Sequence, residues 1–278
     1  MYRRIGVATT FSPRFLAVLA EAGKICHSIP APLCLIHADV FDAEKKARFH
    51  DALHRLNLDE QSEIHFEPGE PVQSILKAQR EKCIDLLVAG ALETEGIHRN
   101  FTGNVSRELL RKAPCDLMLY TEPKEEPEVP EAILVAIPDF SELSRHVFHR
   151  VVNLAQRWET KRVTLVHVQT TFAEVKEKVV GTISGAPSSE EIIDRLVHER
   201  ETSAVELDYH LLRGNTGFTA CEFIQSSGTN LLVMPSHMHS KGQPVFAPAL
   251  DWIIQVIPTN LWVIRQIAYP PRESKTAG

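Results

Sequence analysis

The stretches "GEPVQSILKAQREKCIDLLVAG" (69–90) and "GNTGFTACEFIQSSGTNLLVMP" (214–235) decide the fold when laid over one another. Gly69, Asp85 and Gly90 fall at the same mutual spacing as Gly214, Asn230 and Pro235. Each stretch reads as a turn, a helix and a short apolar strand, so the chain carries this unit twice. The repeat extends outward on both sides. Upstream, "LCLIHAD" and "VTLVHVQ" put His37 and His167 at matching points of an earlier strand. Further upstream, "IGVATTFSPRF" and "ILVAIPDFSEL" are β-branched runs that each end in a Phe-Ser pair. Downstream, "CDLMLYT" and "TNLWVIR" close each half with a last strand.

Short continuous apolar strands alternating with amphipathic helices predict two tandem α/β domains, each with a five-stranded, mostly parallel, doubly wound sheet. Ser12 before Pro13, and Ser141 in the second half, are expected to cap the first helix of each domain. Val147, Phe148, Val151, Val152 and Ala155 recur at helical spacing and define a buried face. Between the halves, "TEPKEEPEVPE" (121–131) has three prolines and five glutamates, a composition that cannot pack a core. The expected domains are therefore 1–121 and 132–268, with a linker over 122–131 and a disordered tail over 269–278. In such sheets ligands sit at the carboxyl ends of the strands, near the point where the strand order reverses.

Composition narrows the function classes. A net charge of −6 over 278 residues argues against a nucleic-acid partner, which would need a basic face. No segment approaches the length of a membrane span, and "MYRR…FLAVLAEAG" is too interrupted for an export signal. Cys26, Cys34, Cys83, Cys115 and Cys221 include no C-x-x-C pair and read as core residues of a cytoplasmic protein.

The block "GNVSRELLRKAPC" (103–115), together with the "V-A-x…F-S" start and the "L-x-x-H" strand, resembles the universal stress protein family in its tandem form. That resemblance covers nearly the whole chain. It implies an adenine-nucleotide-hydrolase-like α/β fold whose last strands pair antiparallel, here as an intramolecular pseudo-dimer. Some members bind ATP through a G-x2-G-x9-G-(S/T) signature and an aspartate after the first strand. In the first half those signature positions become Gly90, Glu93, Gly103 and Asn104. Gly96 and Arg99 lie inside the loop, and Thr9, Thr10, Ala38 and Val105 complete the residues expected around ATP or AMP. Glu93 brings a like charge, and Thr10 stands where the aspartate is expected. In the second half Asp139 keeps the acid after one extra residue, but the signature reads Pro235, Met238, Pro248 and Ala249. Proline removes phosphate-cradling N–H groups and Asp251 repels phosphate, so no ATP is expected there. Asp139, Val168 and His237 outline the pocket expected in that half.

Other constellations read as structural. His237 and His239 flank a loop without a nearby carboxylate in sequence, and Cys26, His27, Cys34 and His37 straddle a helix end and a strand, so no metal is expected. His37 and His167 are expected to make structural hydrogen bonds. The inserted segment 170–205 is expected to form a surface helix opened by Ser189 with a stripe of Ile192, Ile193, Leu196 and Val197, a lid or partner face being the alternative. No G-x-S-x-G, Walker lysine loop or H-E-x-x-H is present. The leading reading is a non-catalytic stress-response protein acting through ligand and partner binding. A slow ATP hydrolase using the first-half loop, or a carrier of a non-nucleotide ligand in the second half, remains open, as does homodimerisation.

Overall fold

The computed structural model describes residues 2–91, 105–200, 204–214, 216–239 and 242–265. The first half runs β1 (Ile5–Thr9), α1 (Phe15–Ser28), β2 (Leu33–His37), α2 (Ala43–Arg55), β3 (Glu63–Phe66), α3 (Pro71–Glu81), β4 (Leu86–Gly90), α4 (Val105–Lys112) and β5 (Asp116–Tyr120). The second runs β6 (Ala132–Ile137), α5 (Glu142–Trp158), β7 (Arg162–Thr170), α6 (Thr171–Ser184), α7 (Ser189–His198) and β8 (Glu206–Gly214). It continues through α8 (Thr216–Ser226), β9 (Leu231–Met238), β10 (Pro244–Val245), α9 (Asp251–Val256) and β11 (Asn260–Arg265). The expected tail over 269–278 lies outside the described residues.

The two five-stranded sheets fuse into one, in the order β3-β2-β1-β4-β5-β11-β9-β6-β7-β8, with β10 folded back on β9. Neighbours within each half are parallel along this path. The halves join through an antiparallel pair, with Trp262 of β11 opposite Met118 of β5. Those two residues hold equivalent places in "CDLMLYT" and "TNLWVIR", so a pseudo-two-fold axis passes between them. The last strands thus pair inside one chain.

Alternation along each strand divides the apolar residues between two layers. Met118 and Trp262 face α1, α2, α5 and α7, whereas Leu117, Leu119, Leu261 and Val263 face α3, α4, α8 and α9. Strand order reverses between β1 and β4 and again between β6 and β9. These are the two crevices where a ligand is expected.

Local signals differ from the sequence reading at two points, Ser12 and Cys83. Ser141 caps α5 through a hydrogen bond from the Ser144 amide, but Ser12 does not cap α1. A turn intervenes, in which the Ser12 carbonyl accepts from Phe15 N–H at 3.0 Å, so the helix begins later. Helix α7 begins at Ser189 as expected, with Ser188 capping it in a reciprocal capping box with Glu191. It exposes Glu190, Glu191 and Arg195, and its stripe of Ile193, Leu196 and Val197 is buried in the same core layer as Phe49 and Leu53 of α2. Helix α7 occupies α2's place, and α6 is the added element. Lastly, Cys83 is exposed, because the turn closing α3 places it in the left-handed region at φ 51°.

Candidate functional site

At the mouth of the first half, β1, β2 and β4 end side by side. Thr9 is buried and its hydroxyl donates to Ile36 O at 2.8 Å, so it is occupied by the fold. Thr10 is exposed and accepts from Ser12 N–H at 3.1 Å. Ala38 and Val105 are half-buried on either flank, and Gly90 is exposed at the end of β4. A Cβ at Gly90 would lie 3.1 Å from Val18 Cγ2, a tight contact that the methyl would relieve by shifting a few tenths of an ångström. The Gly90 carbonyl accepts from the Ser106 hydroxyl at 3.0 Å, which ties α4 to the strand. Gly96, Arg99, Gly103, Asn104 and Glu93 lie outside the described residues. The described structure therefore brings together Thr9, Thr10, Ala38, Gly90 and Val105.

Two features of this mouth are absent from the sequence reading. Arg14 reaches across it, donating to Ala91 O at 2.9 Å and also to Thr121 O. Beside it Phe11 packs against His37, Phe15 and Phe49, and the Arg48 guanidinium lies 3.9 Å from the Phe11 ring centre. A flat apolar surface with two cations near it suits an aromatic anion. The aromatic residues are scattered over four elements and loops, so no spacing rule could have grouped them.

The second mouth is built differently. The β6–β7 register pairs Ile137 with His167, as β1–β2 pairs Thr9 with His37, so Pro138 is the extra residue ahead of Asp139. Asp139 accepts from Ser141 N–H at 3.0 Å, as Thr10 does from Ser12, and also from the Ser144 hydroxyl at 2.7 Å. Burial pushes its carboxyl up, but the Ser141 and Ser144 bonds outweigh burial and hold it below the usual range. His237 Nε2 lies 4.0 Å from this carboxylate. His237 belongs to β9 rather than to a loop, and pairs with Val245 of β10 in a hairpin that includes Pro235 and Met238. Pro248 opens a short 3-10 turn and α9 has six residues. Strand and hairpin occupy the place of a glycine loop. Val168 is 1% exposed, with its side chain in the core rather than in a pocket.

The strand histidines are held alike. His37 Nδ1 lies 3.1 Å from Thr9 O and His167 Nδ1 lies 3.2 Å from Ile137 O. Burial pushes the His167 imidazole below its ordinary value. Cys26 and Cys34 pack on opposite layers of the sheet, so the Cys-His cluster does not converge. Burial raises the thiols of Cys26 to about 11 and of Cys34 and Cys115 to about 12, away from nucleophilic use. His65, Glu67 and Glu81 do approach one another, but Lys77 sits among them, 2.7 Å from Glu67 and 3.9 Å from Glu81. The ammonium already supplies the cation.

The comparisons with known proteins follow the duplication. The universal stress protein family matches the chain over residues 1–121 and again over 131–265. The chain belongs to the universal stress protein family. Among solved structures, a putative universal stress protein from Pseudomonas aeruginosa UCBPP-PA14 matches with a TM-score of 0.67 and 14% identity, over 95% of this chain and 93% of that one. A universal stress protein from Archaeoglobus fulgidus DSM 4304 matches at 0.61 and 13% identity, over 94% and 98%. A shorter universal stress protein, solved in complex with cAMP, is 21% identical with a TM-score of 0.37, over 42% of this chain and 96% of that one. No curated protein sequence matches. Among the described residues, no helix is long and apolar enough to cross a membrane.

Proposed function

We propose that this universal stress protein is a non-catalytic stress-response protein acting through ligand and partner binding. In this reading its first half keeps an altered adenine-nucleotide pocket and its second half has none. The observation that carries the reading is the asymmetry of the mouths. The first retains the bare Gly90 strand end, the Ser106 helix start and the Arg14 and Arg48 cations around Phe11. The second has Pro235 inside a strand and a hairpin over the loop position. Against a hydrolase at the first mouth, His37 is tied to the Thr9 carbonyl and burial pushes the Cys34 and Cys115 thiols up to about 12, so none of these groups is poised as base or nucleophile.

Calorimetric titration with ATP and AMP tests this. At most one nucleotide is expected at the two mouths, in the first. Thr10→Asp, which copies the Asp139 position, combined with Glu93→Gly, is expected to tighten binding at least tenfold, a gain of about 1.4 kcal/mol. Steady multiple-turnover release of phosphate from ATP by the unaltered protein would overturn the non-catalytic reading. A nucleotide whose affinity responds to substitution of Asp139 or His237 would place it at the second mouth and overturn the asymmetry.

A further inference from the structure

The pseudo-two-fold axis between Met118 and Trp262 relates two clefts where the halves meet. The first, of about 260 Å³, is lined by Glu21, Lys24 and Tyr120 together with Lys124 and Glu128 of the linker. The linker is tied down there, with Lys124 N–H donating to Glu21 at 3.2 Å and Lys24 donating to Glu128 O. Carboxylates outnumber ammoniums on that cleft's lining, with Glu21, Glu122 and Glu128 against Lys24 and Lys124.

Its counterpart is larger and carries an excess of cations. About 920 Å³ is bounded by Ile29, by one face of α5 and by Arg200 beyond α7, over Trp262. Arg150 and Asn153 of α5 stand where α1 has Glu21 and Lys24. Arg145, Arg150, Arg157 and Arg200 line the cleft with His146 and His149, against the carboxylate of Glu142. Arg150 pairs with buried Asp116 at 3.1 Å and Arg145 Nε bonds to Phe140 O, whereas Arg157 and Arg200 make no ion pair among the described residues. His149 Nε2 is buried without a hydrogen-bond partner. Among the described lining residues the arginines outnumber the one carboxylate, so the cleft wall is electropositive on a chain of net −6 and attracts an anion.

We propose that this cleft binds a small molecule carrying a run of phosphates, an oligophosphate either free or as the tail of a nucleotide. From Arg145 to Arg157 the cations span roughly 18 Å of α5 at the helical rise of 1.5 Å per residue, too long for one orthophosphate. Arginine forks match phosphate oxygens, and the apolar floor of Ile29, Leu154 and Trp262 strengthens those bonds by excluding water. A polymer is disfavoured, because the net negative charge of the whole chain repels a long polyanion beyond the cleft. His149 adds a pH signature. Burial and Arg200 hold its imidazole below the ordinary 6.5, with Glu199 opposing and His146 and Arg145 reinforcing. A bound anion favours the imidazolium, so binding takes up a proton and tightens as pH falls through that range.

The test is calorimetric titration of the full chain with tripolyphosphate, ATP and orthophosphate at low salt between pH 6 and 8. One tripolyphosphate per chain is expected, at least tenfold tighter than orthophosphate. The double variant Arg157→Ala/Arg200→Ala, checked for native circular dichroism, is expected to lose tenfold or more. His149→Gln is expected to remove the proton uptake, and Glu93→Gly to leave tripolyphosphate binding unchanged. Equal affinity for tripolyphosphate and ATP, with the same arginine dependence, identifies the phosphates alone as the determinant. Tighter ATP with that dependence identifies a nucleotide. No tripolyphosphate binding, or binding indifferent to the two arginines, overturns the proposal. ATP binding that ignores those arginines but responds to Glu93 belongs to the first mouth and leaves the nucleotide reading standing.

Discussion

Asp116 has no exposed surface and lies at the join of the halves, where it serves three donors at once. Its carboxylate accepts from Arg265 N–H at 2.8 Å, from the Tyr2 hydroxyl at 2.5 Å and from Arg150 at 3.1 Å. The equivalent residue across the pseudo-axis is Asn260, whose side-chain oxygen accepts from Thr121 N–H at 2.9 Å. A neutral amide suffices there for the backbone bond, so the charge at Asp116 exists for Arg150. Burial pushes the Asp116 carboxyl above its usual range and Arg150 pulls against it. Arg150→Met therefore strands a buried charge and is expected to cost about 3 kcal/mol in urea unfolding at neutral pH. Asp116→Asn added to it should recover most of that loss, with the two changes strongly non-additive. The sign with pH follows from a folded-state value above the unfolded one: stability is present at low pH and lost as pH rises through the folded value. The Arg150→Met deficit should accordingly shrink on acidification. Additive losses, or a deficit that grows in acid, would sink this account.

Among the elements, α6 is the one the duplication does not require. It presents Phe172, Val175 and Val179 to solvent, so those three side chains contribute little apolar burial. Glu177 instead ties it down, accepting from Ser189 N–H at 2.6 Å, from the Ser189 hydroxyl at 2.5 Å and from Gln169. These bonds join α6 to β7 and to the start of α7. Glu177→Ala is expected to cost about 1–2 kcal/mol and to speed amide exchange in α6 while β7 stays protected. Unchanged exchange in α6 would show that other contacts hold the helix. The same region marks the limit of what the sequence discloses. The alternation of strands and helices and the two halves were legible because buried strands and spaced glycines leave a periodic trace, whereas the β5–β11 pairing was expected only from the family resemblance. Ser141 was legible as a cap, but Ser12 was not, since only the three-dimensional course shows that a turn precedes α1. Ile193, Leu196 and Val197 declared an amphipathic helix, yet nothing local said whether its apolar face met solvent or the sheet. The candidate site was less legible still. Asp139 and His237 were expected around one pocket, but Phe11, His37, Arg48 and Phe49 are scattered in sequence and meet only in the folded chain.

For the molecule as a whole, the question is whether two domains or one folding unit has been made. Trp262 is 2% exposed on the central pair of strands, and its indole N–H donates to the Tyr2 hydroxyl at 3.2 Å. The core layer containing it runs without interruption from α1 and Tyr2 of the first half to α5 of the second. β11 is hydrogen-bonded to β5 on one side and β9 on the other, so the second half cannot unfold without exposing the first half's edge. An exposed β5 would present Leu117, Met118 and Leu119, all fully or nearly buried in the native sheet. Unfolding of the two halves is therefore expected to be one cooperative transition rather than two. Trp262→Ala, which empties the largest buried side chain at the axis, is expected to lower stability by about 3–5 kcal/mol. The loss should appear as a shift of that single transition, with tryptophan fluorescence and far-ultraviolet circular dichroism remaining coincident in the unaltered protein. Two resolved transitions in the unaltered protein, only one of them moved by Trp262→Ala, would mean that the halves are energetically separate despite their shared sheet.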